Sequence, residues 1–168
     1  MSSATRPATE PQMPRRMSCS MTIGAVRDRT KDVTRRHEDT WTTLKPGDRL
    51  TLIEKGMGLP PGAKQVVLAE VEIVSVTVEP LLDRLDRDEM TREGFPYLHP
   101  LEFAAIWARN HGYRRLLRPA GVEWLSQSPW ITPVMHSTRN RADAIQRALC
   151  DVQCRRIEWR YLDDEVDE

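Results

Sequence analysis

The sequence predicts an α+β fold, a small mixed β-barrel or curled sheet with short helices on its flanks, and three observations predict it. Gln65 to Glu79 is a long β signal carrying Val66, Val67, Leu68, Val71, Ile73, Val74, Val76 and Val78, with Glu70 and Glu72 alternating outward. Its apolar phase slips at Ile73-Val74, as one extra residue would make it, and such a bulge bends a long strand toward closure. Arg155 to Leu162 is a clean closing strand, with Ile157, Trp159 and Tyr161 on one face and Arg156, Glu158 and Arg160 on the other. Few strands separated by short helical stretches make a layered α+β domain and not a bundle.

The elements in chain order fill in this outline. Residues 1–20 are rich in Ser, Thr, Pro and Arg, lack apolar periodicity, and are expected to form a disordered tail. Met21 to Asp28 reads as a short helix with Met21, Ile23 and Val26 inward, and Lys31 to Arg36 leaves it as an extended segment. Lys45-Pro46-Gly47-Asp48 is a turn, and Arg49 to Glu54 is a strand. Residues 55–64 form a Gly- and Pro-rich loop, without the G-K-[S/T] that a phosphate loop requires. Leu81 to Glu93 gives one or two helical turns stopped by Gly94. His99-Pro100-Leu101-Glu102 opens a further helix that Gly112 ends. Residues 113–138 read as irregular, with Trp124 and Trp130 gluing them to the domain, and Asn140 to Cys150 as an amphipathic helix. The organisation is therefore a tail at 1–20, one domain at 21–162 with an insertion at about 113–150, and an acidic end at 163–168.

Bulk properties bound the function. The 168 residues suit one domain and one core. Lysine plus arginine and aspartate plus glutamate each number 25, so net charge selects no partner. Their distribution is uneven, with a basic stretch over residues 22–50 and an acidic end, which creates a local positive field. No run approaches the roughly 20 apolar residues of a membrane span, and the N-terminus lacks the apolar core of a secretory signal. Cys19, Cys150 and Cys154 are an odd set without a disulfide framework, which suits cytoplasmic thiols. Zinc would need about four ligands, and Cys150 and Cys154 have no second pair nearby, so neither metal nor cofactor is expected.

The segment Arg29-Thr30-Lys31-Asp32-Val33-Thr34-Arg35-Arg36 holds the first candidate site residues. Lys31 and Thr34 converge only if the lysine sits on a turn and the threonine opens a strand. A desolvated lysine among other cations loses its proton readily, and a hydroxyl within its reach becomes a nucleophile. Arg35 and Arg36 then suit an anionic or polar substrate, and the competing reading is a solvated basic face. Glu93 is the second candidate. It faces the negative end of a helical turn beside Gly94, a placement suited to proton transfer, against the alternative of a frayed surface glutamate. Trp41 follows the basic segment on a loop, where it would stack on a base or plug the core.

Lys31, Thr34 and Arg36, the Lys45-Pro46-Gly47-Asp48 turn, Arg92-Glu93-Gly94-Phe95 and the terminal Ile157-Glu158-Trp159-Arg160-Tyr161-Leu162 together resemble an ASCH domain, whose signature is roughly G-x-K-x-x-[E/T]-x-R. The chain departs from it at the glycine, where Arg29 stands. The resemblance covers about residues 20–112 and 152–162, and is to bacterial and phage members. It implies a PUA-like β-barrel that binds RNA, a nucleoside or a modified base. One branch, the small 4-acetylcytidine amidohydrolases, implies a catalytic set at Lys31, Thr34 and Glu93; Arg35, Arg36 and Trp41 are the expected substrate contacts from their own chemistry and placement. Two other classes stay open. One is a non-catalytic RNA- or nucleotide-binding module, and the other is a phage or mobile-element accessory protein with a protein partner. Neither the oligomeric state nor the substrate is legible at this stage.

Overall fold

The computed structural model describes residues 15–118 and 139–162. In chain order the elements are β1 (Arg15–Ser18), α1 (Ile23–Arg27), β2 (Val33–His37), β3 (Arg49–Ile53), β4 (Val67–Pro80), α2 (Arg87–Arg92), α3 (Pro100–Asn110), α4 (Arg114–Leu117), α5 (Arg139–Leu149) and β5 (Gln153–Tyr161). The five strands form one curled, mixed sheet in the order β1-β3-β4-β5-β2, a half-barrel with short helices against it. Among the described residues only the β1–β3 pair is parallel.

The bend in β4 lies where its alternation slips. Its register against β5 shifts between Ile73 and Ser75, leaving Val74 as the extra residue, half-exposed. β4 therefore serves two neighbours in succession, β3 along its first half and β5 along its second.

Two apolar clusters result. One fills the curl of the sheet with Met17, Val26, Leu50, Leu52, Val71, Ile73, Ile157 and Trp159. The other lies under the helices, with Leu81, Met90, Phe103, Ala104, Trp107, Ile145 and Leu149. Helix α3 starts with a capping box: the His99 ring accepts from the Leu101 N–H and the Glu102 carboxylate accepts from the His99 N–H. Its buried face is Phe103, Ala104, Ala105, Trp107 and Ala108. Helices α4 and α5, the described parts of the expected insertion, pack on α3 through Leu117, Ile145 and Leu149.

Three expectations change. The tail does not extend to residue 20, because Arg15–Ser18 pair with β3 and bury Met17 and Cys19. Met21 is not inward; its side chain is 46% exposed, and Val26 fills the core position of α1. Within the segment read as irregular, Arg114–Leu117 form a helical turn. Trp124, Trp130 and the acidic end lie outside the described residues. No helix among the described residues is long and apolar enough to cross a membrane.

Candidate functional site

Local sequence explains how Lys31 enters the interior. Helix α1 ends at Asp28, and the next residue, Arg29, turns the backbone left-handed at φ 60. This is the position at which glycine usually ends a helix. Here an arginine occupies it, with its Nη1 donating to the Val26 carbonyl at 2.9 Å and its guanidinium 4.5 Å from the centre of the Tyr161 ring. The turn directs Lys31 beneath the sheet, where it is 3% exposed. Glu93 arrives from the other side. It caps α2, and Gly94 at φ 87 turns the chain so closely past Thr22 that a Cβ would stand 2.8 Å from the Thr22 Cγ2.

The two meet as a buried pair. Lys31 Nζ lies 3.3 Å from Glu93 Oε2 and donates to the main-chain carbonyls of Val33 and Glu93, each at 2.6 Å. The Trp159 ring centre is 5.6 Å from the ammonium. Burial pushes the lysine pKa down, and the nearby Glu93 carboxylate opposes this without cancelling it. The Tyr161 hydroxyl donates to the Lys31 carbonyl and holds the segment to β5.

A cavity of about 120 Å³ opens over this pair, where the two apolar clusters meet. Lys31, Thr34, Arg36 and Glu93 supply polar wall, and Phe95, Phe103, Trp107 and His111 supply aromatic wall. The sheet thus brings Lys31, Thr34 and Glu93 to one cavity. Arg36 is half-buried there, and its Nη2 donates to the Ser18 carbonyl at 2.8 Å. No carboxylate pairs with it among the described residues.

Two expected substrate contacts are placed differently. Arg35 lines the cavity, yet its guanidinium has no exposed surface. It bonds Glu93 Oε1 at 2.8 Å and Glu89 Oε1 at 3.0 Å, with Glu79 at 3.4 Å. Its part is to fix the Glu93 carboxylate from behind. Trp41 is not on the cavity wall. It packs half-buried against the sheet-side core, with the Arg15 guanidinium 5.3 Å from its ring centre, and its backbone is left-handed at φ 59.

Four contributors were not singled out beforehand. Cys19 and Trp107 line the cavity, and the Trp107 indole donates to the Arg35 carbonyl at 3.0 Å. Glu89 and Arg156 extend the charge network, with Arg156 Nε 2.6 Å from Glu89 Oε1 and Nη1 2.8 Å from Glu158 Oε2. Arg92 then links Glu158 to Asp32, the neighbour of Lys31. The alternation of β5 put Arg156 on its polar face correctly; what sequence could not tell is that α2 covers that face. Burial pushes the Cys19 thiol up, so it stays protonated.

No family model matches the chain, and no curated protein matches it. Among solved structures, the crystal structure of protein EF3133 from Enterococcus faecalis V583, of the DUF984 family, matches with a TM-score of 0.48 and 13% identity, over 91% of this chain and 82% of that one. A likeness at that level assigns neither family nor activity.

Proposed function

We propose that the chain is an ASCH-type domain of PUA-like fold whose cavity binds a nucleoside or modified base and hydrolyses an exocyclic amide on it. The observation that carries this reading is Lys31, a buried ammonium with a lowered pKa, paired with a carboxylate beneath a cavity whose wall includes a hydroxyl. Position 29 supports the family reading, since its left-handed backbone is the conformation the signature glycine takes without strain.

The chemistry follows from the hydrogen bonds of Lys31. The two carbonyls at 2.6 Å keep two N–H groups, and the contact with Glu93 at 3.3 Å is the longest, so the third proton is the one passed to Glu93. The neutral amine releases one carbonyl, turns its lone pair toward Thr34 or a water, and takes a proton from that oxygen as it attacks the acyl carbon. The C–N bond breaks, and Glu93 delivers its proton to the leaving amine. Where Thr34 is the nucleophile, water hydrolyses the resulting ester. Arg36, lacking a carboxylate partner among the described residues, suits the acyl oxygen.

Turnover of a panel of N-acylated nucleosides tests the proposal. Lys31→Ala and Glu93→Gln should each abolish turnover, and Thr34→Val should lower it at least tenfold. Failure of the wild type to bind or cleave any member would sink it. Arg36, without a carboxylate partner among the described residues, also favours a second reading, binding without chemistry. A nucleic-acid complex would then weaken steeply with salt, whereas binding of an uncharged nucleoside would not.

A further inference from the structure

His111, the residue that caps the C-terminus of α3, carries an unassigned recognition group on the cavity wall. His111 stacks on Trp107, ring centres 4.2 Å apart at 15°, and its Nδ1 lies 2.8 Å from the Trp107 carbonyl oxygen. A carbonyl can only accept, so Nδ1 bears the proton and the neutral ring keeps its lone pair on Nε2. Among the described residues nothing hydrogen-bonds to that nitrogen. The stack fixes the ring in orientation, and the ring lines the cavity. Arg36 on the same wall offers donors.

We propose that His111 Nε2 is the acceptor that recognises an N–H of the ligand, so that the cavity selects an amide edge, one N–H beside one C=O, over a carboxylate or phosphate. This rests on the nucleoside reading above and names which part of the ligand decides specificity. A site with an acceptor in place discriminates against a ligand lacking the donor, because the acceptor is left unpaired.

The test compares binding of 4-acetylcytidine with its N4-methyl derivative, which lacks the amide N–H. Wild type should prefer the former about tenfold, the scale of one hydrogen bond. His111→Phe, which keeps the stack on Trp107, should lose the preference, and His111→Asn should restore part of it. The wild-type preference should also fade in acid, since a protonated ring has no acceptor. Its midpoint should lie below the ordinary histidine value of 6.5, because burial lowers the pKa, Trp107 opposing and Arg36 assisting. Arg36 and His37 of β2 and Glu93 are the charged or titratable groups facing His111, and the same measurement in His37→Gln shows whether the effect belongs to His111. A preference unchanged in His111→Phe, or absent from wild type that binds both compounds, overturns the inference alone. Wild type that binds neither overturns the nucleoside reading and this inference with it.

Discussion

Arg29 and Gly94 take the same left-handed backbone for different reasons, and they should respond differently to substitution. At Arg29 the strain is offset by the bond to Val26 and the contact with Tyr161, so Arg29→Gly should shift stability by less than about 1 kcal/mol. At Gly94 any side chain meets Thr22 as well as the backbone penalty, and Gly94→Ala should cost about 1–3 kcal/mol. Thermal melts of both variants check the contrast, and equal losses would contradict it. The two positions also mark what single residues disclose. Gly94 punctuates a helix in the ordinary way and could be read. The turn at Arg29 could not, because arginine carries no signal for φ 60. Nor could Trp107 or His111, whose helix pattern says only that one face is buried; which neighbour that face meets is decided elsewhere in the chain.

Strand β4 is legible in the sequence and β1 is not, and the difference is physical. β4 is 14 residues long with its own alternation and its own bulge. β1 is four residues, Arg-Arg-Met-Ser, with one buried side chain, and it is a strand because β3 offers it a free parallel edge. Its weight in the fold nevertheless rests on that side chain. Met17→Ala should cost about 2–5 kcal/mol, since Met17 is 1% exposed in the sheet-side core. Urea unfolding measures it, and a loss under 1 kcal/mol would mean that β1 merely decorates the edge.

Across the whole molecule the charges form a connected series from Lys31 through Glu93, Arg35, Glu89, Arg156, Glu158 and Arg92 to Asp32. Burial alone would raise the pKa of Glu89 and Glu158, but hydrogen bonds from Arg156, with Arg35 or Arg92 beside it, hold both below the ordinary 4.5. Carboxyls with lowered folded values bind fewer protons than in the unfolded chain. The stability they add is full above about pH 4.5 and is lost as pH falls through their folded values. Urea midpoints between pH 7 and 3 should therefore drop steeply on the acid side. Glu89→Gln should flatten that drop while costing about 3–5 kcal/mol at neutral pH, because it leaves Arg156 and Arg35 under-paired. An acid slope identical to wild type would refute the assignment.

The sheet order also sets when the cavity can exist during synthesis. Lys31 is anchored by Tyr161, 130 residues further on, and β2 hydrogen-bonds to β5 at the sheet's far edge. The ribosome therefore releases the early half of the pocket long before its clamp is made. Until β5 emerges, β2 has no strand to pair with and the Lys31 ammonium stays in water with an ordinary affinity for its proton. The cavity is thus assembled only once β5 has been made, and a stalled or clipped chain lacking β5 carries Lys31, Thr34 and Glu93 without bringing them together.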